Sequence, residues 1–253
     1  MKNLKGKISV IIPAYEEGAL IRGTLLETIK TFDEFGCDYE IIVMDDGSSD
    51  STYQEVQKLA EVYPQLKAKR NPKQSGKGRA LKKAFRYAQG AYVVFLDADL
   101  DLHPGQVQTL FDIMRLDEAD VVIGSKLHPN SKVEYPISRR LVSFMYYLII
   151  KLLFDLPVRD TQTGLKIFKA QVLKDVFPKV LVKKFAFDLE LLANARHLGY
   201  KIAEAPIVLE QKRRYGRIGV VSMWQTGWDT LAVFYRMKVL KYYDRSFKET
   251  GER

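Results

Sequence analysis

Apolar runs of strand length alternate with helical-period segments along the first half of the chain. Ile8-Ser9-Val10-Ile11-Ile12 reads as a short buried strand stopped by Pro13. Leu20, Thr24, Ile29 and Phe32 then recur at roughly helical spacing, and Gly36 stands where that helix should end. Tyr39 to Met44 predicts the next strand. Val56, Leu59 and Val62 predict a helix entered through Ser49 or Asp50 and broken at Pro64. A weaker strand, Leu66 to Arg70, leads into a basic loop running from Asn71 to Arg79. Leu81, Ala84, Phe85 and Ala88 mark a further helix, Tyr92 to Leu96 a buried strand, Pro104 another helix start, and Val121 to Ile123 another strand. This alternation predicts an α/β fold with a mostly parallel sheet covered on both faces. Ligands of such sheets sit beyond the carboxyl ends of the strands. Four loops share that edge: Pro13–Gly18, Asp45–Ser49, Gly76–Arg79 and Asp97–Asp101.

The second half changes character. Leu141 to Phe154 is apolar over about fourteen residues with Lys151 inside it, short of the roughly twenty that span a bilayer. It predicts a core helix or one lying in the membrane interface. After the loop Asp160–Gly164, a strand is expected at Leu165–Phe168, a helix from Phe187 to near Gly199, and one strand, bent at Pro206, over Ile202–Leu209. A final helix from about Val220 to Tyr242 mixes Trp224, Trp228, Phe234 and Tyr235 with Arg236, Lys238 and Lys241. Aromatic and basic residues on one helix suit a membrane surface; a partly buried helix with snorkelling lysines gives the same pattern. The chain thus divides into a domain over residues 1–217 and an amphipathic, interfacial helix and tail over 218–253.

Composition narrows the function. Hydrophobic residues make up 47% of 253, enough for a sizeable core. Forty Lys and Arg against 31 Asp and Glu give +9, which suggests an anionic partner. The single Cys37 excludes an intrachain disulfide, and three scattered histidines offer no zinc spacing. No signal peptide is visible, which fits a cytoplasmic chain. No GxGxxG follows the first strand, Gly76-Lys77-Gly78 lacks the Walker spacing, and GxSxG is missing. No nucleic-acid-binding signature accompanies the positive charge, so a nucleic-acid partner is not expected.

The strand Tyr92–Leu96 ends in Asp97-Ala98-Asp99-Leu100-Asp101. Three acids a few ångströms apart repel one another unless a cation sits among them. Mg²⁺ or Mn²⁺ prefers carboxylate oxygens and keeps positions open for phosphate. A solvated turn is the competing reading, because Asp suits turns.

Taken in order, Pro13-Ala14-Tyr15-Glu16-Glu17, Asp45-Asp46-Gly47-Ser48, Gly76-Lys77-Gly78 and Asp97-Ala98-Asp99 resemble the motifs of family 2 inverting glycosyltransferases with the GT-A fold. Gly124-Ser125-Lys126, Ser138-Arg139-Arg140, Asp160-Thr161-Gln162-Thr163-Gly164 and Phe185–Glu190 look like those of the polyprenyl-phosphate sugar synthases, glucose or mannose type. The resemblance implies a Rossmann-like sheet, a nucleotide-sugar donor and a polyprenyl or dolichyl phosphate acceptor at a membrane surface. It implies a nucleotide pocket shaped by Pro13, Ala14, Tyr15 and Glu17, with Asp46 on the base or ribose and Lys77, Asp97 and Ala98 nearby. Asp99 and Asp101 would hold Mg²⁺ or Mn²⁺ against the diphosphate, and Asp97, Asp99 and Arg139 carry the catalytic expectation. Acceptor phosphate falls to Arg139, with Ser143 one turn on and Lys126 beside them, and Arg213 and Arg214 would form a flap. Some relatives carry a pair of membrane helices after this domain. None precedes Arg253, so a peripheral enzyme is expected; the oligomeric state is left open.

The chemistry explains the cations. A lipid phosphate is ionised near neutral pH and needs no base, only positive charge to hold it beside an anionic donor. An alcohol acceptor would need a carboxylate base, for which Asp188 is the candidate. Gly76-Lys77-Gly78 and Asp160-Thr161-Gln162 look more like the glucose-type enzymes, favouring UDP-glucose over GDP-mannose.

Overall fold

The computed structural model describes residues 6–133, 137–182, 186–210 and 220–244, with backbone alone for 137–141 and 220–224. In chain order the elements are β1 (Ile8–Ala14), α1 (Ile21–Phe35), β2 (Tyr39–Asp45), α2 (Thr52–Ala60), β3 (Leu66–Arg70), α3 (Lys77–Phe85) and β4 (Tyr92–Phe95). A 3₁₀ turn, Pro104–Gln106, opens α4 (Val107–Leu116); β5 (Val121–Ser125), β6 (Lys132–Val133) and α5 (Ile137–Phe154) follow. The last group is β7 (Lys166–Lys169), α6 (Ala170–Val176), α7 (Phe187–His197), β8 (Ile202–Pro206), β9 (Val208–Leu209) and α8 (Val220–Phe234). A π-helical stretch, Tyr235–Val239, and a 3₁₀ turn, Tyr242–Asp244, prolong α8.

Seven strands form one sheet in the order β3-β2-β1-β4-β7-β5-β8. Only β7 runs antiparallel to its neighbours, β4 and β5. Two apolar clusters cover its faces. On β1, Ile8, Val10 and Ile12 pack with α1, α2 and α4, while Ile11 belongs to the cluster containing α3, α6 and α7. Each of these fully buried aliphatic side chains stabilises the fold by roughly 1.5–3 kcal/mol. That burial on both sides is why the strands read as continuous apolar runs instead of alternating ones.

Local departures from expectation have physical causes. β1 continues through Pro13, because the pairing with β4 ends at Ile11 and Phe95, so the N–H that Pro13 lacks has no ladder partner on that side. The helix α3 starts at Lys77, so Lys77, Gly78 and Arg79 form its first turn and not a loop. The expected single strand at 202–209 is two: Pro206 closes β8, Ile207 N–H donates to Ser131 Oγ at 2.9 Å, and β9 pairs with β6 in a separate small sheet. Val62 lies beyond the end of α2 and is exposed.

The helices α5 and α8 pack together at the side of this body. Tyr146 Oη and Thr230 Oγ1 are 3.1 Å apart, and the rings of Phe154 and Phe234 meet edge to face. Ile150, Phe154 and Val233 reach the core. The outer faces carry exposed apolar side chains, with Leu152 86% and Trp228 74% exposed. No helix among the described residues is long and apolar enough to cross a membrane.

Candidate active site

The loops after β1 and β2 are laced together. Glu16, in the left-handed region at φ 57°, accepts the N–H and hydroxyl of Ser49 through Oε1, both at 2.9 Å. Glu17 N–H donates to Thr52 Oγ1, and Asp50 accepts Gly18 N–H through Oδ2 and Thr52 N–H through Oδ1. Asp50 thus serves the entry to α2 one residue ahead of Ser51, its N-cap residue. Asp46 is buried and holds the following basic loop: Oδ1 accepts from Asn71 Nδ2 and Ser75 Oγ, and Oδ2 from the N–H groups of Ser75 and Gly76. Gly47, at φ 80°, passes so close to Lys73 that a Cβ would lie 2.7 Å from its carbonyl carbon.

Beyond β4 the acidic stretch turns along the same edge. Thr24 Oγ1, from α1, donates to the Ala98 carbonyl at 2.7 Å, and Asp101 N–H donates to Asp99 Oδ1 at 3.1 Å. Leu100 between the two acids has φ 58°, a conformation costing a bulky residue of order 1–3 kcal/mol. Asp97, Asp99 and Asp101 line one cleft with Lys126, Gln162, Gly164 and Leu209. Its enclosed part measures about 110 Å³, less than usual ligand pockets, so it is the floor of an open crevice.

Three lysine–aspartate pairs surround that floor. Lys77 Nζ stands 2.5 Å from Asp97 Oδ1. Burial alone would raise the Asp97 pKa; Lys77, with Lys166 and Lys126 behind it, overcomes this and holds the carboxyl below the usual range. Burial likewise works against the Lys77 ammonium, and Asp97, Asp188 and Asp99 together raise its pKa. Lys126 Nζ lies 3.6 Å from Asp160 Oδ2, which also accepts Lys126 N–H and Thr163 Oγ1. Burial again opposes ionisation of Asp160, and these partners lower its pKa. Lys166 Nζ donates to Asp188 Oδ1 at 2.7 Å and to the Thr163 carbonyl. The loop these lysines hold passes directly over Asp97, where a Cβ on Gly164 would sit 1.7 Å from Oδ2.

The crevice therefore gathers Lys77, Asp97, Asp99, Asp101 and Lys126, while Asp46 holds the loop that leads into α3. Ala14 is buried, and its carbonyl accepts Asp46 N–H; Tyr15 is exposed in the loop that follows β1. Ser143 is half-buried on α5, where Arg139 also lies, but the Arg139 side chain is outside the described residues. Arg213 and Arg214, with the rest of the expected flap, lie outside them as well. Motif reasoning does not single out Lys166, although a lysine within Leu165–Phe168 breaks an otherwise apolar strand and signals a buried counter-ion. Glu190 faces away from this chemistry. It accepts Leu181 and Val182 N–H groups through Oε2 and meets Arg236 and the Tyr243 hydroxyl through Oε1.

This sheet order and its flanking helices are the GT-A glycosyltransferase fold. The family model "Glycosyl transferase family 2" matches residues 9–177, and the chain belongs to that family. Among curated relatives, the Glycosyltransferase AglD of Haloferax volcanii is 29% identical over 208 residues, covering 81% of this chain and 33% of its own. The Dolichyl-phosphate beta-glucosyltransferase of Dictyostelium discoideum is 31% identical, covering 79% of this chain and 65% of that protein. The Dolichyl-phosphate beta-glucosyltransferase ALG5A of Trichomonas vaginalis is 30% identical, covering 94% and 76%. The chain thus spans a third of the first relative and about two thirds and three quarters of the others. Among solved structures, glucosyl-3-phosphoglycerate synthase from Mycobacterium tuberculosis, in complex with Mg²⁺ and uridine diphosphate, superposes with a TM-score of 0.70. It is 19% identical, covering 91% of this chain and 79% of that one, a likeness of fold. The same enzyme has been crystallised with Mn²⁺.

Proposed function

We propose that this chain transfers glucose, with inversion, from UDP-glucose to the phosphate of a polyprenyl or dolichyl lipid at a membrane surface. The observation that carries this reading is one crevice holding three strand-end acids with Lys77 and Lys126 at the carboxyl edge of the sheet, and the buried Lys166–Asp188 pair beside it. The names of the Dictyostelium and Trichomonas relatives supply the glucose and the dolichyl phosphate.

Among the described residues no three His, Cys, Asp or Glu form a preassembled metal cage. Asp99 and Asp101 offer hard oxygen donors on a single cleft, which fits a dication whose coordination is completed by diphosphate and water. Bound there, Mg²⁺ or Mn²⁺ would stabilise the charge that gathers on the departing diphosphate. Asp97, fixed by Lys77 and covered by Gly164, orients the donor sugar region. Pro13, Ala14, Tyr15 and Glu17 border the nucleotide, and Asp46 shapes its pocket through the loop it holds. Lys126 and Arg139, with Ser143, Arg213 and Arg214, bind the acceptor phosphate, while the apolar faces of α5 and α8 rest on the lipid surface.

The test is purified protein supplied with UDP-glucose or GDP-mannose, a short polyprenyl phosphate, and Mg²⁺ or Mn²⁺. Glucosyl lipid formed from UDP-glucose and abolished by EDTA is the expected result. A lipid product from GDP-mannose alone would overturn the donor, and EDTA-insensitive turnover would overturn the metal.

A further inference from the structure

Lys166 stands first in β7, opposite Phe95 at the end of β4, and its side chain is 1% exposed. Its ammonium binds the Thr163 carbonyl and Asp188 Oδ1, and Asp188 in turn lies in the first turn of α7. One buried cation therefore ties together three pieces of the crevice: the Asp160–Gly164 loop that covers Asp97, the start of α7, and the inner end of the sheet. An ammonium so enclosed is tolerated only with a matched anion, and removing either partner of such a pair strands the other.

We propose that Lys166 is a positioning residue that keeps Asp188 as its permanent counter-ion, thereby removing Asp188 as a proton acceptor and restricting the site to acceptors that arrive already ionised. The inference rests on the glycosyl-transfer reading above and explains its acceptor class. When a phosphate oxygen attacks the anomeric carbon, a new carbon–oxygen bond forms as the bond to the nucleoside diphosphate breaks. The bonding pair leaves with the diphosphate, and no proton has to move. An alcohol oxygen would have to shed its proton to a base. Asp188 taking that proton would leave the buried Lys166 ammonium without its anion. The neighbouring carboxylates are no better placed, since Asp97 is bound to Lys77 and Asp160 to Lys126 and Thr163.

The experiment is a double-mutant cycle with Lys166→Met, Asp188→Asn and the combined variant, measured on the full chain. Three quantities are followed: thermal midpoint, affinity for UDP with Mn²⁺, and turnover on a prenyl phosphate against the matching prenyl alcohol. Each single change should lower turnover on the phosphate by about tenfold or more, because each leaves a buried charge unpaired. The combined variant, with both charges removed, should recover most of that loss and of the thermal midpoint, and wild type should leave the alcohol untouched. A combined variant as inactive as Asp188→Asn while UDP binding and thermal midpoint are restored would overturn the proposal, since Asp188 would then be needed chemically. Wild-type turnover on the alcohol equal to that on the phosphate would do the same. Wild-type protein inactive on every donor and acceptor would sink the transferase reading instead, and restoration of the thermal midpoint and UDP affinity would still decide whether Lys166 and Asp188 act as a pair.

Discussion

The loops at the ends of β1, β2 and β4 and the helices α5 and α8 are held by opposite means. In the loops nearly every short polar side chain has a named partner: Glu16 with Ser49, Asp50 with Gly18 and Thr52, Asp46 with Asn71, Ser75 and Gly76, Thr24 with Ala98. The helices touch the core through a few residues and leave apolar faces bare. Fixed hydrogen bonds place reacting groups to a fraction of an ångström, which a diphosphate and its dication demand. A bare apolar face imposes no such geometry and suits a partner without fixed shape, such as lipid.

Four substitutions probe that contrast. Asp99→Asn, in the most tightly held region, should cut turnover by roughly a thousandfold while the thermal midpoint stays put, because it removes charge without volume. Near-normal turnover would mean that Asp99 is only a turn residue. Gly164→Ala should come next. Its Cβ has no room beside Asp97, and a displacement of about an ångström there costs on the order of a hundredfold in rate. A crystal structure with Asp97 unmoved would contradict this role for the loop. Tyr243→Phe removes the hydroxyl that meets Glu190 and Arg236, yet leaves Glu190 its two backbone donors. Chemical denaturation should show a loss of about 1 kcal/mol with little change in turnover. Trp228→Ala should matter least to the fold, with stability within about 0.5 kcal/mol of wild type. Vesicle binding should nevertheless fall by about fivefold, as expected for one exposed aromatic anchor. Unchanged flotation with vesicles would remove α8 from the lipid-facing surface.

Much of the first half was legible because each cue was local. Gly36 does close α1 in the left-handed region, and the apolar runs became buried strands. The acidic tip was legible too, since alternating acids at the end of a buried strand crowd like charges that only a cation relieves. What escaped depended on residues distant in sequence. Pro13 reads as a stop unless one knows that β4 is too short to pair beyond Ile11. The partners of Asp46 are hidden in the same way, since Asn71, Ser75 and Gly76 fold onto it from 25 to 30 residues later. Lys166 interrupts an apolar strand, but its counter-ion cannot be named locally because Asp188 lies 22 residues away.

The reversed strand β7 leaves one last consequence. Every parallel neighbour delivers its tail to the reactive rim, whereas β7 delivers its head, with Lys166 level with the tip of β4. Extra residues spliced in just upstream of Lys166 would jolt the chemistry, while the same splice after Lys169 would emerge on the opposite rim and pass unnoticed by the substrate.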